Sequence, residues 1–465
     1  MIRYTYTQTY RYIPYPVKSA GGLARAGGDE YNDSMGLALI KQARQAARED
    51  DGALERTVRE IISDVRGRGA EALFEYAERF DGARPRTLRV GREAVLAAYD
   101  EVPAETLAAL RFAHGRIKNF AERQRSTLKE LRFTDGAGAL EMGHRLLPVD
   151  SCGCYVPAGR NPLPSSALMS VTTARAAGVR RVAAASPAFD GRGVHPAVLA
   201  AMDIAGADEI YCMGGAGAIA AFAYGLRDCG LAKVDMIAGP GNRFVTEAKR
   251  QVAARGAAGI DGAAGPSEVL IIADGTANPH FVAIDLLAQA EHDADAAARL
   301  VCTSRAVLEA ALAELESLLA DLPEDGAAAL SWRNNGEAFL ADSLDDAITL
   351  ANRFAPEHVE LQIDEAALRG AAGQLTAYGS LFAGHYAPAA FGDFVSGTNH
   401  ILPTAGSARF SGGLWVGTFL RAAFYQFVPK EACAALAAPC MTLAETEGLS
   451  AHRESVRLRI EDGNA

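Results

Sequence analysis

Hydrophobic residues recur every three or four positions along much of the first third of the chain, which is the spacing of one helix face. This pattern predicts helix from about Asn32 through "MGLALIKQARQAARED" (35–50), then across 52–82, and again around 104–129. Gly82 follows the last turn of the second stretch and predicts its end. The first third is therefore expected to be mostly helical.

From about 155 to 272 the pattern changes to short apolar runs that alternate with helical stretches. The runs "RRVAAASP", "DEIYCMGG" and "VDMIAGPGN" predict strands, and each is followed by a helical segment. The alternation continues with "SEVLIIAD" (267–274), "RLVCTS" and a helix at 306–321. Strands separated by helices predict βαβ units, so we expect an α/β protein with two Rossmann-like parallel-sheet domains.

Breaks in these patterns predict the domain organisation. We expect an N-terminal arm over 1–44, a discontinuous first α/β domain over 45–154 with 273–410, a second Rossmann-like domain over 155–272, and a helical tail over 411–465. The alternating tyrosines of 4–15 suit an exposed strand or a docking arm, and a flexible leader is an equally good interpretation. The N-terminus lacks the apolar core of a secretory signal.

Composition narrows the class of partner. Acidic residues outnumber basic ones by 57 to 46, which gives a net charge of −11. An acidic chain without a basic stripe is a poor binder of nucleic acid or anionic membrane, so a small-molecule substrate is expected. Seven cysteines, an odd number at low density, predict no disulfide framework and favour a reducing cytoplasm. No apolar run approaches membrane-spanning length.

Three segments carry residues that could bind a metal. Gln289 and His292 are three positions apart and would share one helix face, although a histidine at a helix end commonly caps carbonyl groups instead. Asp393 lies in a glycine-punctuated segment dense in polar residues, where an aspartate is also an ordinary turn former. Glu447 and His452 lie near the C-terminus, where such a pair is usually a solvated helix face.

Two glycine-rich turns follow predicted strands and open predicted helices. Gly215, Gly217 and Ala220 fit the G-x-G-x-x-G/A pattern, and "AGPGNRF" (238–244) repeats the arrangement. Free N–H groups at a helix N-terminus bind a pyrophosphate, whereas a tight turn alone also requires glycine. Two such turns in succession predict a dinucleotide site.

The stretch "FAPEHVEL" (354–361) places Glu357 beside His358. We expect adjacent side chains to point in different directions. The pair is either a satisfied ion pair or two separate catalytic groups.

Seven segments occur in order and together resemble the histidinol dehydrogenase family over roughly residues 45–455. They are "GCYVPAGRNPLPSSALM", "GPGNRFVTEAKRQ", "AGPSEVLIIAD", "DLLAQAEHD", "FAPEHVEL", "GDFVSGTNHILPT" and "EGLSAH". The resemblance implies a two-step oxidation of an alcohol to a carboxylate, with NAD as hydride acceptor and one catalytic zinc per subunit.

The resemblance also implies residue roles. The zinc ligands would be Gln289, His292, Asp393 and His452, and two imidazoles with two oxygens are typical of an open catalytic site. The implied substrate contacts are Ser267, Gln289, His292, His358, Asp393, Glu447 and His452. Because the family completes each site with the tail of a second subunit, the resemblance implies that Glu447 and His452 come from a partner chain in a homodimer.

His358 matches the family's general base, and Glu357 matches the residue that activates water on the aldehyde. Tyr155 and Asn242 match dinucleotide contacts, and Gly217 stands where the family usually carries a glutamine that contacts NAD.

Other departures concern the substrate. The segment "SARFSGGLWVGTFLRAAFYQ" (407–426) differs from the biosynthetic pattern and resembles a branch that includes dehydrogenases of sulfonated diols such as 2,3-dihydroxypropane-1-sulfonate. We therefore expect a primary alcohol other than histidinol. L-histidinol dehydrogenase proper is the alternative, and a non-catalytic protein that binds NAD and metal is an alternative of another class.

Overall fold

A computed structural model provides the structure of the chain. It describes residues 36–44, 51–82, 84–136, 139–158, 161–262 and 265–461. The Tyr-rich segment 4–15 lies outside the described residues.

Strands and helices alternate through most of these residues. The strands are β1 Leu37–Lys41, β2 Leu131–Asp135, β3 Leu140–Pro148, β4 Ser151–Tyr155, β5 Arg181–Ser186, β6 Glu209–Cys212, β7 Met236–Ala238, β8 Gly259–Ile260, β9 Glu268–Ala273, β10 Ala297–Cys302, β11 Glu337–Ala341, β12 His358–Gln362, β13 Ser380–Ala383 and β14 Leu420–Phe427. The α-helices are α1 Asp51–Arg68, α2 Ala70–Phe80, α3 Arg92–Glu101, α4 Ala104–Thr127, α5 Pro164–Ala177, α6 Pro196–Ala205, α7 Gly215–Tyr224, α8 Arg243–Ala254, α9 Pro279–Ala290, α10 Arg305–Ala320, α11 Ala327–Asn335, α12 Leu344–Phe354, α13 Glu365–Gln374, α14 Ala389–Phe394, α15 Lys430–Thr446 and α16 Ser450–Glu461.

Contacts divide the chain into two compact units. The first unit comprises the described residues within 1–51, 262–391 and 402–413, and the second comprises those within 52–261, 392–401 and 414–465. This grouping differs from the expected one, which joined 45–154 to 273–410. The described residues of 52–154 join the second unit because α4 packs on α5 and α2 packs on α7.

The first unit is built on a six-stranded sheet in the order β1-β11-β10-β9-β12-β13. Strands β9 to β13 are parallel, and β1 joins the edge antiparallel to β11. β9 is buried at every position, so Val269 and Ile271 face a core with α9, α10 and α11. Leu270 and Ile272 face a second core with α12 and α13. Burial on both faces explains why "EVLIIA" is continuously apolar after its first residue.

The carboxyl ends of β9 and β12 are tied together by one side chain. Asp274, directly after β9, accepts hydrogen bonds through Oδ2 from the N–H of Asp364 (2.8 Å) and through Oδ1 from the N–H of Thr276 (2.8 Å). Asp364 lies two residues after β12. The crevice between these two strand ends is therefore bridged by a carboxylate.

The second unit contains a five-stranded parallel sheet in the order β6-β5-β4-β7-β8 and a three-stranded antiparallel sheet, β14-β3-β2. The parallel sheet reads 3-2-1-4-5 in chain order, which is a doubly wound arrangement that reverses between β4 and β7. Ligands of such sheets bind outside the carboxyl ends of the strands at the reversal. The parallel strands of the first unit have the same order and reverse between β9 and β12.

These sheets confirm the expected α/β fold with parallel sheets, and the predicted strand–helix alternation between 155 and 321 is found. The predicted long helix at 104–129 is α4. The helical stretch 52–82 is broken at Gly69, whose left-handed backbone (φ 61°) separates α1 from α2.

Two helix predictions are wrong. Leu37–Lys41 forms β1, because pairing with β11 and burial of Leu37 outweigh the helical spacing of that segment. Leu420–Phe427, expected in a helical tail, forms β14 and pairs with β3 along eight residues. The rest of the predicted tail is helical, as α15 and α16.

Candidate active site

The Glu357–His358 pair begins a buried strand of the first unit. Helix α12 ends because Ala355 adopts a left-handed backbone (φ 48°) and Pro356 cannot continue the helix. The chain then enters β12 at His358, between β9 and β13. Glu357 is 5% exposed and His358 is 3% exposed, so both titratable side chains are buried.

Both side chains converge on the backbone of Glu268, the first residue of β9. The N–H of Glu268 donates to Glu357 Oε2 at 2.9 Å, and His358 Nδ1 lies 3.2 Å from the carbonyl oxygen of Glu268. Glu357 Oε2 and His358 Nδ1 are 3.6 Å apart. The expectation of divergent side chains is wrong for these atoms, because Glu357 precedes the strand and strand alternation does not separate it from His358.

The contact with Glu268 determines which nitrogen of His358 carries a proton. A carbonyl oxygen only accepts hydrogen bonds, so Nδ1 is the donor in this contact. In the neutral ring the lone pair then lies on Nε2, which is the state that a general base requires. The nearby carboxylate of Glu357 would stabilise the imidazolium that forms when the ring takes a proton.

Ser267, the expected substrate contact, directly precedes β9 and is partly buried. Its carbonyl oxygen accepts a hydrogen bond from the N–H of Ala297 at 3.0 Å. Ser267 is therefore fixed to the first residue of β10, and it directly precedes Glu268, which holds Glu357 and His358, at the amino end of the sheet.

Gln289 and His292 lie at the end of α9 in the first unit. Helix α9 ends at Ala290, so the prediction that His292 shares a helix face with Gln289 is wrong; His292 is exposed in the following turn. Gln289 is 5% exposed, and its Nε2 has no hydrogen-bond partner among the residues that the structure describes. A buried N–H donor without a partner is costly, so Nε2 suits a hydrogen-bond acceptor, whereas the amide oxygen is the atom that could bind a metal.

Two neighbouring carboxyl groups belong to the partly buried Asp285, one helical turn before Gln289 on α9, and the buried Glu360 of β12. Gln362 Nε2 donates to Asp285 Oδ2 (2.8 Å) and to Glu360 Oε2 (3.2 Å). Burial, then the charge of Asp285, raises the pKa of Glu360 to about 8, and burial also raises that of Asp285. Glu360 Oε1 accepts from the N–H of Ala389, the first residue of α14. This pair was missed in the sequence, although polar positions 358, 360 and 362 alternate with apolar ones in "HVELQ".

Asp393 belongs to α14 and not to a loop, which corrects the expected turn. It is partly buried, and its carbonyl oxygen lies 2.8 Å from Nδ1 of His400. The other ring nitrogen of His400 lies 3.3 Å from Ser166 Oγ. The segment 392–401 is thus held within the second unit by the imidazole of His400.

Glu447 and His452 are exposed at the end of α15 and in the first turn of α16. Among the described residues no group of three or more His, Cys, Asp or Glu side chains could hold a metal ion. The expected ligand set includes a glutamine and a residue from a second chain, so the assembled set stays a prediction.

Tyr155 ends β4 in the second unit, at the reversal of the parallel sheet. Its hydroxyl oxygen accepts a hydrogen bond from the N–H of Gly215 at 3.1 Å, where α7 begins. Burial raises the pKa of Tyr155 to about 12, so the hydroxyl keeps its proton. Tyr155 is therefore fixed at the first glycine-rich turn.

Gly217 lies inside α7 and is buried. A Cβ at this position would lie 2.7 Å from Leu73 Cδ2 of α2. Hydrogen as the side chain thus allows α2 to pack closely on α7, and the cofactor contact expected here stays a prediction.

Asn242 is the N-cap of α8, the helix that follows the second glycine-rich turn. Its Oδ1 accepts hydrogen bonds from the N–H groups of Phe244 (3.0 Å) and Val245 (3.2 Å) at the start of α8. The side chain is exposed at the carboxyl edge of the sheet, just after β7. That edge is where a doubly wound sheet binds a dinucleotide.

The second turn is anchored by a buried ion pair. Lys249 and Asp261 pair with side-chain exposures of 4% and 2%. The Lys249 ammonium donates to the carbonyl oxygen of Gly239 (3.0 Å), and Asp261 Oδ2 accepts from the N–H of Gly239 (2.8 Å). Both backbone groups of Gly239 are therefore held by one pair of charges.

The model of one protein family, described as histidinol dehydrogenase, matches residues 44–460. The chain belongs to the histidinol dehydrogenase family. Histidinol dehydrogenase of Ruegeria pomeroyi is 44% identical over 418 residues, which cover 90% of this chain and 94% of that protein. A protein of the same organism named histidinol dehydrogenase homolog is 41% identical and covers 92% of this chain and 97% of its own.

A solved structure agrees with the family. The crystal structure of histidinol dehydrogenase from Elizabethkingia anophelis superposes with a TM-score of 0.83 at 33% identity, covering 91% of this chain and 95% of that one. This family consists of NAD-dependent dehydrogenases, so the chain is an oxidoreductase. No described helix has the length and apolar character needed to cross a membrane.

Proposed function

We propose that this chain is an NAD- and zinc-dependent dehydrogenase that oxidises L-histidinol through an aldehyde to the carboxylate. The observation that carries the proposal is the buried Glu357–His358 pair, held by both backbone groups of Glu268 with the lone pair of His358 on Nε2. A base and a carboxylate fixed against one strand provide the two proton-handling groups that a two-step oxidation needs.

In the first step His358 Nε2 takes the hydroxyl proton of the alcohol while the hydride leaves the carbon. In the second step the carboxylate of Glu357 takes a proton from water as the water adds to the aldehyde. The hydrate then loses the second hydride, and its remaining hydroxyl proton leaves to solvent to give the carboxylate. Bound NAD would accept one hydride in each step, so one alcohol gives two NADH.

Gln289, His292 and Asp393, with His452 of the partner subunit, would hold the zinc. Gln289 is buried and would bind the metal through its amide oxygen, and two nitrogens with two oxygens suit an open zinc site. The metal would polarise the substrate hydroxyl and orient the alcohol. Manganese or cobalt would also suit these oxygen and nitrogen ligands.

The cofactor would lie at the carboxyl edge of the second unit's parallel sheet. Tyr155 ends β4 and Asn242 follows β7, and the strand order reverses between these two strands. Ser267 would contact the substrate, and in a homodimer Glu447 of the partner subunit would contact it as well.

A primary alcohol other than histidinol is the second candidate. The segment 407–426 favours it, because it departs from the biosynthetic pattern. The comparisons do not favour this candidate, since relatives named histidinol dehydrogenase are as similar as those named homologs. A purely binding protein would not need the His358 contact that fixes its tautomer.

Turnover assays separate the candidates. Purified zinc-loaded protein is mixed with NAD and either L-histidinol or 2,3-dihydroxypropane-1-sulfonate, and NADH absorbance is followed. We expect two NADH per histidinol and growth of a histidine auxotroph that carries the gene. Turnover of the sulfonated diol alone would replace histidinol by the second candidate, and no turnover with NAD binding retained would favour the binding protein.

A further inference from the structure

Glu268 combines two sets of contacts that the proposed mechanism uses only in part. Its backbone holds Glu357 and His358 at the start of β9. Its carboxylate is 10% exposed, and each of its oxygens has a different partner. Oε2 accepts from Arg299 Nη1 at 2.9 Å, and Oε1 accepts from the N–H of Ala405 at 2.9 Å.

Ala405 lies in a turn that needs external support. Its backbone is left-handed (φ 53°), a conformation that costs a non-glycine residue free energy and persists only when neighbours hold it. Thr404 Oγ1, one residue earlier, accepts from the N–H of Gly265. The turn Thr404–Gly406 is thus tied at two points to the segment that contains Ser267.

Arg299 neutralises Glu268 without touching the turn. Its Nε donates to Glu337 Oε2 at 2.8 Å, and its guanidinium lies over the ring of Phe354, 4.5 Å from the centroid. Two carboxylates therefore share one buried guanidinium, but only that of Glu268 also binds Ala405.

We propose that Glu268 is a positioning residue, whose carboxylate fixes the turn Thr404–Gly406 against the residue that holds Glu357 and His358. The inference rests on the proposed function for its kinetic consequence only. Through this turn Glu268 sets the start of the segment 407–426, which by its resemblance departs from the biosynthetic pattern of the family. The side chain of Glu268 would thereby fix the position of the substrate, while the backbone of Glu268 fixes the base, His358.

The variant Glu268→Gln tests this role. Arg299 and Ala405 donate to different oxygens of the carboxylate, and an amide keeps an oxygen at only one of these two places, so it cannot accept from both donors in this geometry. Glu337→Gln is the matched control, because it removes a carboxylate from the same guanidinium and leaves the turn untouched. We expect Glu268→Gln to lower kcat about tenfold or more, and Glu337→Gln to change it less than about twofold, with the KM for NAD unchanged in both.

Trypsin provides a readout that does not depend on the substrate. Arg409 is exposed three residues after the turn, so loosening of the turn should speed cleavage after Arg409 in Glu268→Gln but not in Glu337→Gln. Thr404→Val loosens the same turn without touching Arg299 and should reproduce both effects, which keeps the test valid if Glu268→Gln does not fold.

Equal losses of kcat and equal cleavage rates in Glu268→Gln and Glu337→Gln would overturn the inference, since both would then act through Arg299 alone. A wild-type protein inactive on both alcohols would contradict the proposed function, whereas the cleavage rates would still decide the role of Glu268.

Discussion

Replacing Lys249 by methionine should destabilise the second unit strongly. The Lys249 ammonium and the Asp261 carboxylate are almost completely buried, and both contact the backbone of Gly239. Methionine retains most of the side-chain volume but removes the charge. Asp261 would then be a buried carboxylate with only the N–H of Gly239 as its remaining described partner.

The expected loss of unfolding free energy depends on which charged or polar groups stay buried without a partner. Removing one partner of a buried ion pair costs about 3–5 kcal/mol, because the other charge stays uncompensated. In the double variant Lys249→Met/Asp261→Asn no charge remains, and the asparagine oxygen can still accept from the N–H of Gly239. The remaining cost is the unsatisfied carbonyl oxygen of Gly239, about 1–3 kcal/mol. The double variant should therefore be more stable than Lys249→Met alone.

Urea denaturation followed by circular dichroism measures these differences in the free energy of unfolding. Lys118→Met is the matched control, because Lys118 and Glu122 form an exposed pair, 55% and 56% exposed, whose loss should cost less than about 1 kcal/mol. NAD binding, measured by isothermal titration calorimetry, should weaken in Lys249→Met because the turn at Gly239 loses its anchor.

A Lys249→Met variant no less stable than Lys118→Met would refute the reasoning, since the buried pair would then contribute nothing. A double variant less stable than Lys249→Met would also refute it, because the uncompensated charge would not be the cause of the loss.

The remaining predictions concern the first unit. His358→Asn should lower alcohol oxidation by about 10²–10⁴-fold and aldehyde oxidation less, while Glu357→Gln should slow mainly aldehyde oxidation; NADH formation from each substrate supplied separately measures both. Gln289→Leu should weaken zinc binding by more than about tenfold, measured by competition with a chromogenic chelator, because it removes an oxygen ligand. The folded pKa of Glu360, about 8, lies above its ordinary value of 4.5, so the folded chain keeps a proton that the unfolded chain loses between these values. Stability should therefore fall as pH rises through this window, and Glu360→Gln should reduce the fall in melting temperature.

One outcome would contradict each of these predictions for the first unit. Equal losses in both half-reactions for His358→Asn and Glu357→Gln would remove the division of labour. Unchanged chelator competition in Gln289→Leu would exclude Gln289 as a ligand. An identical decline of melting temperature in wild type and Glu360→Gln would exclude Glu360 as the group that titrates.

Local pattern predicted most strands and helices of the parallel sheets because burial on both faces makes each strand continuously apolar. "RVAAAS" and "EVLIIA" are examples, each closed by a helix with a clear N-cap or proline. Leu37–Lys41 and Leu420–Phe427 were predicted incorrectly, because their strand state depends on pairing with β11 and β3, far away in sequence.

The chemistry was predictable where it is concentrated in short motifs. Glu357 and His358 are adjacent, so the pair could be recognised in "FAPEHVEL". The way the pair is held could not be predicted, because Glu268 is about ninety positions away and acts through its backbone, which carries no side-chain signal. The roles of Asp285 and Arg299 depend likewise on neighbours from other strands and helices.

Asp274 distinguishes the two parallel sheets. Both sheets have one strand order, yet the reversal crevice of the first unit is closed by a carboxylate that ties Asp364 to the end of β9. Ser267, Glu357 and His358 lie at the opposite, amino edge of that sheet because they stand at the starts of β9 and β12, whereas Tyr155 and Asn242 lie at the carboxyl edge of theirs. In the proposed function the base and the dinucleotide contacts therefore lie on opposite edges of two separate sheets, so a substitution beside one set leaves the strands that hold the other set unchanged.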